Sequence, residues 1–352
     1  MKQLIILTDG EEKFLVSIAD LQNFTSMDTS IIKKYFLTKG YGVKIIRFSD
    51  LDLASNYSNY IILYQTSEAP GSFYKRYIED IIFHLEKQGA MVLPPTDYLR
   101  AHHNKLYMEM IRSRFSDNAL KSITSRFFGE EKEALKLQKP FPVVIKQSSG
   151  AGSSGVYLAR NKTEYKKYIH CASEVVFAQN LGQLTIGIVK NKAKKYLSMI
   201  NKKHRNRIAQ PIYRPIVVQN YIKGLTGDYK VLFFGNKYYT LYRENRDNDF
   251  RASGSGKLFE VPEQDHEGLL GFARKLTFEI DFPIIGMDIG FDGTAYHLIE
   301  FQMIHLGPYT LQAANFWHEY INNKWVRFEG KSNLEEEFSR SIYEYIQLKA
   351  KV

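Results

Sequence analysis

Cysteine is nearly absent from this chain of 352 residues: Cys171 stands alone. That excludes a disulfide framework and any cysteine-rich metal site. Long apolar runs are missing too. Leu4 to Leu7 is cut short by Thr8-Asp9-Gly10, too brief a run for a signal peptide, and nothing resembles a membrane span. The expected location is the cytoplasm. No Gly-x-Gly-x-x-Gly follows the first strand, which removes the dinucleotide fingerprint. Internal repeats and low-complexity tracts are absent as well.

What is present is an ordinary soluble composition, 44% hydrophobic and 24% charged. The length exceeds what one compact core usually holds, so two or three packed units are expected. Lys and Arg number 48 against 38 Asp and Glu, a net charge of +10. Such a balance favours anionic partners: nucleotides, phosphorylated substrates, nucleic acid or an anionic membrane face.

Residues 1–100 alternate strand and helix patterns. Apolar runs at 4–7, 43–46, 60–63 and 91–93 read as strands, and 27–39 and 72–88 as helices. That alternation implies parallel strands in an open α/β layer. Further on, 102–115 reads as a helix, 122–128 as a strand and 130–137 as a helix. Strands follow at 143–146 and 156–159 around a Gly/Ser loop, then a helix at 162–171 and a strand at 175–179. A basic run, 190–207, precedes strands at 216–222, 228–234 and 237–244. After a helix at 264–279, strands are expected at 284–290 and 296–302. The last helix starts near Ser332, at capping-box spacing from Glu335, with Leu334, Phe338, Ile342, Tyr345 and Ile346 as its apolar face.

Four features carry chemistry. Residues 148–155, Ser-Ser-Gly-Ala-Gly-Ser-Ser-Gly, let backbone amides approach phosphate oxygens, though a plain hairpin turn has the same composition. Lys146 ends the buried run Val143-Val144-Ile145 and needs a counter-charge there, or an exit to solvent. Strand alternation places Leu298, Glu300 and Gln302 on one face, with Ile299 and Phe301 on the other. An adjacent strand could add Asp288, and three hard oxygen donors suit magnesium. Asp228, Lys230, Arg243 and Arg251 could clamp a transferring phosphoryl group; surface ion pairs would read the same way. His102, His103, His297 and His305 form no recognised metal spacing.

Taken in order, these pieces resemble the ATP-grasp superfamily, which includes D-alanine–D-alanine ligase and glutathione synthetase, over roughly residues 95–310. The resemblance implies two α+β lobes holding ATP, preceded by an open α/β domain. The boundaries would be 1–100 for the first domain, 101–215 for the central lobe and 216–352 for the C-terminal lobe. It implies ATP contacts from Lys105 and Lys146, from Ser149, Gly150, Gly152, Ser153 and Ser154 of the flap, and from Gln219, Asn220, Tyr221, Ile222 and Asp228. Asp228-Tyr229-Lys230-Val231 is similar to the family's Asp-x-Arg-Val, with lysine for arginine. Phe250-Arg251-Ala252-Ser253 is similar to its Phe-Arg-Ser-Asn, which makes Arg251 the catalytic arginine, assisted by Lys230 or Arg243. Asp288 and Glu300 match the metal carboxylates, and Gln302 stands for the usual asparagine.

The cofactors implied are ATP and two magnesium ions, with manganese able to substitute. The reaction implied is ADP-forming ligation of a carboxylate to an amine or other nucleophile through an acyl phosphate. Small-molecule, peptide or sugar substrates fit, with Ser253, Gly254, Ser255 and His305 near them, and a homodimer is compatible. A kinase of the same fold and a non-catalytic nucleotide- or nucleic-acid-binding protein are the alternatives. Nucleic acid is the weaker of these, because 190–207 interleaves a single aromatic, Tyr196, among its cations.

Overall fold

The computed structural model describes residues 2–14, 26–66, 72–149, 155–173, 214–247, 249–252 and 255–351. The expected strand at 175–179, the basic run 190–207 and the candidate residues Gly150, Gly152, Ser153, Ser154, Ser253 and Gly254 lie outside them. The chain divides into two compact units. One takes in Met1–Thr124 and Ile222–Val352, and the other lies within Ser125–Tyr221.

The first unit opens with β1 (Gln3–Thr8), α1 (Thr29–Thr38), β2 (Gly42–Arg47), β3 (Tyr60–Tyr64), α2 (Ser72–Lys87) and β4 (Met91–Leu93). The strands form a parallel sheet in the order β2-β1-β3-β4. Apolar runs rather than alternation mark β1, β3 and β4, whose two faces are covered; β2, at the edge, is part-exposed. Ile5, Leu7, Ile62 and Tyr64 pack with Ile78, Ile82 and Leu85 of α2. Leu4, Ile6, Ile61 and Leu63 belong to the cluster holding Ile32 and Phe36 of α1.

The expected helix 102–115 is shorter, α4 (Lys105–Arg112), and a further helix, α3 (Thr96–Ala101), precedes it. Between them His103 takes a left-handed backbone, φ 52°, which no helix continues. Asn104 then caps α4 by accepting from the amide of Tyr107 at 3.2 Å.

The second unit carries β5 (Ser125–Phe128), α5 (Glu131–Ala134), β6 (Val143–Gln147), β7 (Val156–Ala159), α6 (Lys162–Ser173) and β8 (Ile216–Asn220). Its sheet runs β5-β8-β6-β7, all antiparallel. Val143, Ile145, Ile216 and Val218 face Tyr165 and Ile169 of α6. Strand alternation sends Val144, Lys146, Val217 and Gln219 to the other face. Residues 122–124 are not strand, and β8 stops at Asn220, so Tyr221 and Ile222 follow it as loop.

The first unit resumes with β9 (Gly227–Phe234), β10 (Lys237–Glu244), β11 (Leu258–Phe259), α7 (Glu263–Glu279), β12 (Ile284–Phe291) and β13 (Tyr296–Gln302). It ends with α8 (Tyr309–Ala313), β14 (Phe316–Ile321), β15 (Lys324–Glu329) and α9 (Leu334–Lys349). The second sheet of this unit is antiparallel, β13-β12-β9-β10-β14-β15, with β11 on β10. The α9 apolar face is buried as expected, but Asn333 rather than Ser332 caps it, accepting from the amide of Glu336 at 2.9 Å. Ser332 Oγ accepts a hydrogen bond from the Tyr239 hydroxyl at 2.7 Å instead.

Candidate active site

Four neighbouring strands of the larger sheet put charged side chains on one face. Lys230 on β9 lies directly opposite Asp288 on β12, and Asp288 lies directly opposite Glu300 on β13. Asp228, two residues before Lys230, lies opposite Arg243 on β10. Directly opposed residues of an antiparallel pair share a face, so Glu300, Asp288, Lys230, Asp228 and Arg243 form one polar row.

Asp228 and Lys230 are buried, Asp288 and Arg243 half-buried, and these four are mutually paired. Arg243 Nε and Nη2 donate to the Asp228 carboxylate at 2.6 and 2.9 Å, and Nη2 reaches Asp288 Oδ2 at 2.7 Å. Lys230 Nζ stands 3.1 Å from Asp288 Oδ1. Burial works against the Asp288 charge, yet Arg243 and Lys230 together hold its carboxyl down to about 2. Burial pushes Asp228 the other way, to about 6, against the pull of Arg243. Two acids and two bases make a neutral group, which is how four charges tolerate a sheet interior.

A departure from alternation shapes the row. Asp288 opposes Glu300, but the next residue, Ile289, opposes Leu298. Ile299 has no opposite number and forms a β-bulge. Leu298 therefore joins the core with Ile289 and Phe301, and does not share the face of Glu300 as a regular strand would have it. The carbonyl of Ile299, freed from the ladder, accepts from Arg112 Nη2 at 3.0 Å. Arg112 is 2% exposed, pairs with Glu109 at 3.3 Å and lies over the Phe301 ring. The sequence offers no local signal for this arginine; it reads as one more polar residue of an amphipathic helix.

Gln302 donates through Nε2 to the carbonyl of His305 at 2.8 Å, which turns its amide oxygen away from that carbonyl. His305 is buried, has φ 60° and stacks on His102 at 5.6 Å. Leu306 beside it covers Gly286, where a Cβ would meet Leu306 Cδ2 at 3.2 Å. His297 is tied to Ser122 at 2.9 Å and to Asp292 at 2.8 Å, away from the row.

Asp288, Glu300 and Gln302 supply oxygen donors of the kind that magnesium takes. Buried Asp288 Oδ1 already has one cation beside it, Lys230 Nζ at 3.1 Å, and the chemistry of three oxygen donors fits a hard metal cation at the same place. Arg251 is elsewhere in its loop, forked onto Asp249 at 2.9 and 2.5 Å. Ser255 accepts from the Lys257 amide at 3.2 Å. Lys105 is buried in the first turn of α4.

In the second unit, Lys146 is 8% exposed on β6 and shares its sheet face with Gln219. The Gln219 amide donates to Ser125 Oγ at 2.9 Å. Asn220 ends β8, and Tyr221 follows it. Ser149 is half-buried at the end of the stretch after β6. Gly155 needs its glycine: φ is +69°, and a Cβ would fall 2.4 Å from Gln147 Oε1.

No protein-family model and no curated protein sequence matches the chain. Solved structures do. A D-cycloserine synthetase aligns over 97% of this chain and 99% of its own at TM-score 0.53 and 12% identity. D-alanyl-alanine synthetase A from Vibrio cholerae aligns over 99% and 100%, at TM-score 0.53 and 12% identity. A RiPP-associated ATP-grasp ligase from Chryseobacterium gregarium, solved with ADP and a leader and core peptide, aligns over 100% and 98%, at TM-score 0.50 and 14% identity. The mixed antiparallel sheets, their order and these end-to-end likenesses establish that the chain has the ATP-grasp fold.

Proposed function

We propose that the protein is an ATP-dependent ligase that joins a carboxylate to an amine or another nucleophile, releasing ADP and phosphate. One observation carries this reading: Asp288 and Glu300 stand directly opposite each other beside Lys230, Asp228 and Arg243 on a buried sheet face. Its support from relatives is that similarly folded proteins include a D-alanine–D-alanine ligase and a peptide-associated ATP-grasp ligase.

In this reading Asp288, Glu300 and Gln302 hold magnesium, two ions in all, which when bound neutralises charge on the phosphoryl group in flight. Lys105, Ile222 and Asp228 of the first unit serve the nucleotide. So do Lys146, Ser149, Gln219, Asn220 and Tyr221 of the second. Lys230 and Arg243 keep the acidic row charged and in place, and Arg251 exchanges Asp249 for phosphate oxygens. The substrate carboxylate attacks the γ-phosphorus, ADP leaves and an acyl phosphate forms. The amine then attacks the acyl carbon, gives up a proton, and phosphate departs. His305 and Ser255 lie toward the substrate.

The test measures ADP and phosphate release with magnesium-ATP, over a panel of carboxylates with and without amines, for wild type and Glu300→Ala. ADP release that needs both a carboxylate and an amine, and is lost in Glu300→Ala, is the expected result. ADP formed with an alcohol and no free phosphate would replace the ligase with a kinase. No ATP binding by calorimetry would end the nucleotide reading altogether.

A further inference from the structure

On the opposite face of the same sheet, under α7, lies a second constellation. Glu263 and His266 are one turn apart at the start of α7, and His318 projects from β14. One ligand atom from each comes within 4.8 Å of the other two, the one such group among the described residues. Both histidines are 3% exposed, with ring centroids 4.4 Å apart. Neither Nδ1 makes a hydrogen bond, and His266 Nδ1 has only the Glu263 carboxylate, at 3.7 Å. Two adjacent buried ring nitrogens left without hydrogen bonds are costly, and a bound cation would remove that cost.

We propose that Glu263, His266 and His318 bind a divalent transition-metal ion of the zinc class, at a site separate from the acidic row of the opposite face. Two imidazole nitrogens and one carboxylate oxygen suit zinc, cobalt or nickel, whereas magnesium prefers oxygen alone. Thr240 Oγ1 lies 3.2 Å from His266 Nε2, a second contact that fixes the ring while Nδ1 faces the site.

Three protein ligands leave a fourth position for water or an anion. That position opens on a cavity of about 550 Å³, whose other lining includes Arg274, Lys324 and Arg327. Arg327 Nη1 contacts Glu263 Oε2 at 3.0 Å and also holds Glu329 at 2.7 Å. Glu263 can therefore turn to the metal without stranding the arginine, since its side chain is 71% exposed.

The test is zinc titration by calorimetry on the full chain, stripped with chelator, in excess magnesium. One equivalent should bind in wild type and equally in Glu300→Ala. Binding should be lost in His318→Ala and weakened in Glu263→Gln, whose exposed side chain can change without disturbing the fold. Thr240→Val should bind about 10- to 100-fold more weakly. Cobalt(II) in place of zinc should broaden the ring signals of two histidines in the proton NMR spectrum. No zinc uptake by wild type, or wild-type affinity in either His318→Ala or Glu263→Gln, would overturn the assignment.

Discussion

Replacing Arg243 by methionine isolates the energetics of the acidic row. The wild-type group contains Asp228 and Asp288 against Lys230 and Arg243, with Arg243 touching both acids at 2.6 to 2.9 Å. Methionine keeps much of the length and none of the charge, so two buried carboxylates are left to share Lys230. Breaking a buried ionic group from one side costs about 3–5 kcal/mol. At roughly 2–4 °C per kcal/mol for a unit of this size, the calorimetric midpoint at pH 7.5 should fall by roughly 6–20 °C. The dependence on pH follows from sign. In the variant, burial and the second carboxylate raise one acid above its unfolded value. A raised acid lowers stability when ionised, and that cost fades as pH falls through its folded pKa. In wild type Asp288 is held down to about 2, so its contribution is intact above about 4 and is lost only as pH falls toward 2. Within this group of charges, wild type responds between pH 8 and 5 only through Asp228, which burial raises to about 6. The gap between variant and wild type should therefore narrow from pH 8 to pH 5. A loss under about 1 kcal/mol, or a gap that does not change with pH, would show that these charges are solvated and refute the reasoning.

Three other perturbations follow from the same contacts. Arg112→Met should cost about 3–5 kcal/mol in thermal or urea unfolding, because Glu109 loses its buried partner; adding Glu109→Met should recover most of that loss. Gly155→Ala should cost about 1–3 kcal/mol by urea denaturation, from its left-handed backbone alone, with more if Gln147 cannot move aside. His102 is buried, and burial, then His103 and His305, holds its imidazole well below the usual range. The unfolded chain then binds a proton that the folded one does not, so stability is lost as pH falls below about 6.5. In His102→Phe, the difference in urea midpoint between pH 7.5 and 5.5 should shrink.

The parallel sheet was readable in the sequence because its strands are short apolar runs, two of them stopped at Asp9-Gly10 and Pro94-Pro95. The α9 helix was readable because Leu334, Phe338, Ile342, Tyr345 and Ile346 repeat at helical spacing. The break at His103 was not: its left-handed backbone is set beside rings of His102 and His305, and His305 is distant in the chain. The β14–β15 hairpin has a signal in the sequence, and it is local. Asn322-Asn323 joins the strands with φ 49° and 62°, the left-handed pair that a tight hairpin turn requires. The histidine site has no local signal, since His266 and His318 meet only through the sheet and the helix packed on it. Asp288 and Glu300 stand opposite each other on adjacent strands, as alternation allows, but the same alternation puts Leu298 with Glu300, and the bulge at Ile299 removes it. The pairing of Asp228 with Arg243 becomes visible only once the β9–β10 register is known.

The β12–β13 register bears on the proposed function through the bulge at Ile299. With a strict alternation on β13, Leu298 and Glu300 would lie on the same face, and one of them would be misplaced: an apolar side chain among charges, or a carboxylate in the core. The extra residue resolves the conflict. Leu298 enters the core opposite Ile289 while Glu300 stays opposite Asp288. The bulge frees one backbone carbonyl, and a buried carbonyl without a partner is unfavourable. Arg112 satisfies it from α4, the helix that also carries Lys105 in its first turn. One buried arginine thus joins the helix proposed to meet the nucleotide to the strand proposed to hold the metal. Burial works against the Arg112 charge, and Glu109 and then Glu300 support it. The position of Glu300, the residue on which the proposed catalysis most depends, is therefore fixed by a defect in the strand and by a side chain from a different part of the sequence.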